Sequence, residues 1–302
     1  MYPLSNVYKN NNNIIKIWLN TLNSRRTRDT YGESVRLAFK FMKRLHSNQV
    51  TIEDVAAFKQ SMSGKRPATV ALRLSALRSY FKFVVANNYA TFNPTLNVPI
   101  PRIRHNSPRA ITFKEAKTIT EQINLMCDIG KRDVVAIALL FGGLRVSEVA
   151  RLNIGDISLE QQDHESFTRV RVIGKGAKPR VVDLPQHVYN LVLRYIETRD
   201  DSINTNSPLL IAKISGYRKT SARMSADRIY RQFRRYARKA KVKITGSHVG
   251  RHTWAKLAEE GGAKLMDVME HLGHANLNVT ANYLRRLSGR RNPAYSCVPS
   301  LV

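Results

Sequence analysis

Four of the eleven prolines in this 302-residue chain fall between Pro94 and Pro108, among asparagine, serine and basic residues. Each proline fixes its own φ and biases the residue before it away from helix, so the stretch reads as an extended linker that divides the chain. Domains of residues 1–94 and 110–302 are expected on either side of a 95–109 linker, and 43% apolar content suffices to bury a core in each. Lys plus Arg outnumber Asp plus Glu 17 to 4 in residues 1–108 and 33 to 18 in residues 109–302, for a net charge of +28. A polyanion held between two basic units is the simplest partner, and two units joined this way can close around a duplex as a clamp. An anionic membrane surface would attract the same charge. However, no apolar run approaches the roughly 18 residues of a spanning helix, and no signal peptide opens the chain, so no membrane partner is expected. Cys127 and Cys297 form no CxxC or Cys/His cluster, which points away from a disulfide framework or a bound metal and fits a reducing cytoplasm.

The first unit carries four helical patterns. Ile14, Ile15, Ile17, Trp18 and Leu22 mark one helix, and Val35, Phe39, Met42 and Leu45 mark a second running from near Arg28 to Leu45. Thr51 and Asp54 form a capping box for a third with Val55, Ala56 and Phe58. Pro67 opens the fourth, which buries Leu74, Leu77, Phe81 and Val84 or Val85. Arg25, Arg26, Arg28, Lys65, Arg66, Arg73 and Arg78 fall near helix starts or on polar faces, where they reach phosphates or simply form a solvated surface.

The second unit mixes helices with a hairpin. After a helix over Phe113–Ile123, the apolar run Val134–Phe141 predicts a helix buried on all sides that ends at Gly142-Gly143. The turn carries Arg145 out of the core with Glu148 beside it. In RVRVIGKGAKPRVVDL, residues 169–184, two β-branched runs flank a tip that holds Lys175, with Lys178 just beyond it. Another helix covers His187–Ile196. From Ser225 to Ala240, Ile229, Phe233, Tyr236 and Ala240 line one helix face and Arg228, Arg231, Arg235 and Arg238 the opposite one, a stripe suited to phosphates or a major groove. Ser247 reads as the N-cap of a helix that turns His248 and Arg251 to one side and ends at Gly261-Gly262. Leu265, Val268, Met269 and Leu272 are the buried stripe of the next helix, which Gly273 stops just before His274. Asn276 or Asn278 caps a third helix with Val279, Tyr283 and Leu287 on one face. Singly, these are a surface ion pair, a solvated lysine, capping residues and a core aromatic. Together they suit binding a phosphate and attacking it.

The segments G-L-R-V-S-E (143–148), G-K-G-A-K (174–178), H-V-G-R-H-T (248–253) and L-G-H-A-N-L-N-V-T-A-N-Y (272–283) resemble, in that order, the motifs of the tyrosine recombinases, the phage-integrase family of site-specific recombinases. The resemblance covers the C-terminal two-thirds and, in general layout, the N-terminal third. Gly250 departs from it, since the family often has a larger apolar residue there. The fold it implies is mainly α with a small β-sheet: an N-terminal four-helix core-binding domain and an α+β catalytic domain. Tyr283 then attacks phosphorus to give a 3′-phosphotyrosyl link. Arg145 and Arg251 hold the non-bridging oxygens, His248 takes or shuttles the phenol proton, and Lys175 (or Lys178) protonates the leaving 5′-oxygen. His274 donates to the phosphate and Glu148 orients its neighbours. No cofactor, metal or ATP is expected, since fixed cations supply the positive charge and the protein link conserves the bond energy. The implied partners are double-stranded DNA and three further protomers in a homotetramer on paired sites, with or without a second recombinase or accessory proteins. The implied location is the cytoplasm, in association with the nucleoid. With about 105 residues ahead of the catalytic unit, no separate arm-binding domain is expected. The tail after Tyr283 is expected to dock on a neighbouring protomer. The rival readings are a type IB topoisomerase-like relaxing enzyme and a DNA-binding protein without catalysis.

Overall fold

The computed structural model describes residues 11–44, 46–103, 109–174, 179–199, 201, 203–212, 222–274, 280–281 and 284. The chain forms two compact units, Met1–Asn106 and Ser107–Val302, each around its own apolar core. No helix among the described residues is long and apolar enough to cross a membrane.

The first unit contains α1 (Asn11–Asn20), α2 (Arg25–Met42), α3 (Ile52–Gln60) and α4 (Pro67–Ala86). α2 begins three residues before the point its apolar stripe marks, because the Ser24 side chain accepts from Thr27 N at 3.4 Å and caps it. The Thr51/Asp54 capping box and Pro67 in the first turn of α4 are both present. Trp18, Val35, Phe58, Leu77, Tyr80 and Phe81 are buried together, with Trp18 and Tyr80 edge to face at 5.3 Å. Tyr80 brings a hydroxyl into this core, and Ser47 satisfies it at 2.8 Å while donating to Asn11 Oδ1 at 2.8 Å. Ile17 and Val85 lie outside this buried set, and Leu45 outside the described residues.

The second unit contains α5 (Phe113–Glu121), α6 (Asp128–Phe141), α7 (Val146–Val149), β1 (Ile157–Gln162), β2 (Glu165–Ile173), β3 (Pro179–Pro185), α8 (His187–Ile196), α9 (Ala226–Lys239), α10 (Val249–Glu260) and α11 (Leu265–Leu272). The sheet is antiparallel in the order β1-β2-β3, with Ile157 opposite Val170 and Val170 opposite Val182. Thr168, Val170 and Val172 alternate inward on β2, as Val182 and Leu184 do on β3. α6 fills the centre and is buried along nearly its whole length. Its buried ionic pair, Arg132 with Asp133 at 2.6 Å, is completed by the Tyr236 hydroxyl donating to Asp133 at 2.9 Å.

Gly250 explains how closely α10 packs on α6. A Cβ there would lie 2.7 Å from the Leu140 carbonyl oxygen, a backbone atom that cannot rotate away. Gly250→Leu is therefore expected to destabilise the protein by about 1–3 kcal/mol, read as a lower thermal midpoint; an unchanged midpoint would mean the two helices separate freely.

Candidate active site

The site begins where α6 ends. Gly143 has φ +87°, and its N–H bonds Leu140 O at 3.2 Å while Leu144 N bonds Leu139 O at 3.3 Å, a glycine-terminated helix end that reverses the chain. The reversal delivers Arg145 to the start of the four-residue helix α7, with Glu148 at its third position. Glu148, 4% exposed, accepts from Arg145 N at 2.7 Å, Arg145 Nη1 at 2.7 Å, and Arg180 Nη1 and Nη2 at 2.9 Å each. Burial pushes its carboxyl up, but the Arg180 hydrogen bonds, the Arg145 backbone donor and the nearby positive charge outweigh this and bring it down to about 2. Glu148 is thus an anion that fixes two guanidiniums.

α10 supplies the next pair. Its N-cap is His248, with φ −95° and ψ 0°, and not Ser247 as the sequence suggests. The chain enters through a turn in which Val249 N bonds Gly246 O at 3.4 Å, and the first helical bond runs from His252 N to His248 O at 2.9 Å, which puts the cap at His248. Arg251 is only 3% exposed. Its Nη1 donates to Gly143 O at 3.0 Å and its Nη2 to Leu272 O, so one guanidinium ties the turn before Arg145 to the end of α11. At that end Gly273 adopts φ +60°, and its N–H bonds Glu270 O at 2.9 Å while His274 N bonds Met269 O at 3.1 Å. His274 is thereby delivered at a helix exit, where its Nδ1 meets Thr280 Oγ1 at 2.9 Å. Val268 and Leu272 are buried, but Leu265 is 37% exposed and leaves the expected stripe, because α11 is about two turns long and packs only its C-terminal half. His271 stacks on Trp254 at 3.6 Å and its Nε2 meets Gly142 O at 2.8 Å.

Electrostatics place these groups in one field. Burial first, then the charges of Arg251 and Arg145, hold the His248 imidazole below its ordinary range. Burial and the charges of Arg251, Arg145 and Arg180 bring His274 down to about 4. His252 is also at about 4 through burial, His248 and Arg251, and His271 at about 4 through burial, against an opposing bond to Gly142. A histidine whose folded value lies below its unfolded 6.5 contributes stability that is complete above pH 6.5 and is lost as the pH falls towards 4. The contribution of Glu148 is present above 4.5 and is lost only as the pH falls through about 2. Between pH 6.5 and 4.5 the thermal midpoint is therefore expected to fall with acidification on account of the histidines; a flat midpoint there would contradict their burial as neutral rings.

Residues 109–289 match the phage integrase family, and residues 14–88 match the phage integrase N-terminal SAM-like domain. This chain belongs to the phage integrase family, the tyrosine recombinases. The recombinase is 31% identical over 256 residues to tyrosine recombinase XerA of Pyrococcus furiosus, covering 84% of this chain and 77% of that one. It is 31% identical over 230 residues to tyrosine recombinase XerC of Proteus mirabilis, covering 74% and 70%. Its fold is that of XerH site-specific recombinase bound to a palindromic difH substrate (TM-score 0.70, 21% identity, 97% and 91% covered) and of a lambda integrase tetramer bound to a Holliday junction (TM-score 0.67, 15% identity, 88% and 76% covered). The protein is a site-specific DNA recombinase, a strand-transferring enzyme.

Within the recombinase, Arg145, Glu148, His248, Arg251 and His274 come together as described; Lys175, Lys178 and Tyr283, with Asn276, Asn278, Val279 and Leu287, lie outside the described residues. Arg231, Arg235 and Arg238 on α9 line a groove of about 620 Å³ with Arg234, Lys241 and Lys243, while Arg228 is half-buried near the helix start. In the first unit, Arg25 and Arg28 share a groove of about 630 Å³ with Lys16, Arg36 and Asp29. Arg26 and Arg66 are exposed and Arg73 is half-buried, whereas Lys65 lines a separate, more apolar hollow with Met62, Val70 and Val98. Arg78 is taken up structurally: its Nη2 donates to Thr95 O at 2.9 Å and Val98 O at 2.8 Å, pinning that segment to α4. Sequence reasoning did not single out Arg180, Arg234, Lys241, Lys243, Lys16 or Arg36. For Arg180 a signal exists, because it shares the inward register of Val182 and Leu184, and a cation on a core-facing strand position needs an anionic partner.

Proposed function

We propose that the recombinase cuts and rejoins DNA through a 3′-phosphotyrosyl intermediate at Tyr283. The observation that carries this reading is the convergence of Arg145 and Arg251 on two neutral imidazoles, His248 and His274, at the ends of three helices. Two guanidiniums match the charge that builds on the non-bridging oxygens as phosphorus becomes five-coordinate. When Nδ1 of His274 accepts from the Thr280 hydroxyl, its Nε2–H is a donor for one of those oxygens. The Tyr283 oxygen forms the new bond to phosphorus and the bond to the 5′-oxygen breaks. The phenol proton passes to His248, whose depressed value keeps it unprotonated at neutral pH and ready to receive one. Lys175 in the β2–β3 connection gives a proton to the departing 5′-oxygen. A 5′-hydroxyl from a second duplex then reverses the step, so no cofactor or ATP is consumed. The N-terminal unit, as the core-DNA-binding domain of residues 1–94, and the α9 groove hold the duplex by phosphate contacts. Four protomers act on two paired sites in the cytoplasm, associated with the nucleoid.

The test is capture on a nicked suicide substrate, followed by mapping of the DNA-linked peptide. The expected linkage is Tyr283 to a 3′-phosphate, and a two-site plasmid should give exchanged products. A DNA-linked peptide lacking Tyr283, or no linkage at all, would overturn the reading; covalent capture with relaxation alone on the plasmid would assign the same chemistry to a topoisomerase.

A further inference from the structure

We propose that Arg180 is a positioning residue for strand cleavage, holding Arg145 through Glu148 and at the same time clamping the end of α11 that presents His274. The guanidinium is used on three sides: Nη1 and Nη2 bind the two oxygens of Glu148 at 2.9 Å each, and Nε donates to the His271 carbonyl at 2.9 Å. The last turn of a helix carries carbonyls without internal partners. Here the two at the end of α11 are taken by two arginines, His271 O by Arg180 and Leu272 O by Arg251. The fit is close, since a Cβ on Gly273 would lie 2.8 Å from Arg180 Cδ. Arg180 also sits on β3, directly after the segment that contains Lys175. One side chain therefore joins the hairpin, the Arg145 turn and the His274 exit, and a planar fork does this where an ammonium cannot. The inference rests on reading Arg145 and His274 as groups that hold the phosphate.

Glu148 is faced by Arg145 from α7, Arg180 from β3 and His248 from the start of α10. Removing Arg180 leaves burial opposed chiefly by Arg145, so the carboxyl titrates upwards from about 2 and, once protonated, no longer holds the Arg145 guanidinium. Arg180→Gln is expected to bind DNA within about twofold of wild type yet form the covalent complex about 10–100-fold more slowly. Its rate should fall more steeply than that of wild type as the pH drops from 7 to 5. Adding Glu148→Gln should remove this extra acid limb, because the titrating group is gone. Arg180→Lys, which keeps the charge but gives up the His271 carbonyl bond, should fold with a lowered thermal midpoint and still lose about tenfold in cleavage, so the test survives if the glutamine variant does not fold. Cleavage at the wild-type rate by either variant, or a uniform slowing of the glutamine variant with the wild-type pH profile, would reduce Arg180 to scaffolding and overturn the inference. Arg145→Ala separates the two levels. If it cleaves normally, the phosphate-holding reading fails; if it is inactive while Arg180→Gln is normal, only the role of Arg180 fails.

Discussion

Tyr283→Phe is expected to bind its DNA site as tightly as wild type and to form no covalent complex, a loss of more than about 10⁴-fold in cleavage. The substitution removes one oxygen, which is the atom that becomes esterified, and leaves the ring, so affinity and catalysis should separate cleanly. Tyr236 and Tyr195 of the catalytic unit are poor substitutes. The Tyr236 hydroxyl donates to the buried Asp133 at 2.9 Å, and burial followed by that carboxylate pushes its value up. The Tyr195 hydroxyl accepts from Ile211 N at 3.3 Å, and burial raises it as well. A phenol whose ionised form is disfavoured in this way is a weaker nucleophile. The measurement is capture on a nicked suicide substrate alongside a binding titration. Cleavage by the phenylalanine variant at the wild-type rate would remove Tyr283 from the reaction.

Periodicity and glycine punctuation made much of this legible from sequence. The four N-terminal helices, the buried α6 ending at Gly142 and the exact span of α8, His187–Ile196, followed from apolar spacing and end signals. Strand β1 did not, because ISLEQQ is mostly polar and its turn to β2 is Asp163-His164. Both of those residues adopt positive φ, 49° and 68°, without the glycine or asparagine that usually announces such a turn. The cap at Ser247 failed for the opposite reason: a good capping residue stood one position too early. Arg78 and Arg180 show where residue type misleads most. Residue type places Arg78 on a basic face and gives Arg180 no role, yet both spend their guanidiniums on partners that the tertiary fold brings near, the Thr95 and Val98 carbonyls for one and Glu148 for the other. The motif residues themselves are visible because their spacing is local, but part of what holds them in place comes from far away in sequence, 32 positions for Arg180 on Glu148 and 108 for Arg251 on Gly143.

The second large effect concerns the two arginines, which occupy different surroundings and should fail differently. The Arg145 side chain is 26% exposed and pairs with Glu148 at 2.7 Å. A lysine there can keep that pair but cannot present a planar fork to phosphate oxygens. Arg145→Lys is therefore expected to cut covalent-complex formation by about 10²–10³-fold, the scale for losing a preorganised donor to a developing oxyanion, with little change in thermal midpoint. Arg251 is 3% exposed and spans Gly143 O and Leu272 O, which belong to two helix ends. An ammonium cannot reach both, so Arg251→Lys should lose as much cleavage and, in addition, leave a buried carbonyl unpaired, at about 1–3 kcal/mol. Its midpoint should drop by several degrees, while that of Arg145→Lys stays near wild type. Single-turnover cleavage and thermal melts on the two variants measure both quantities. Equal midpoints would mean that the Arg251 carbonyl bonds contribute nothing to holding the site, and near-wild-type cleavage by Arg145→Lys would mean that its guanidinium does not grip the phosphate.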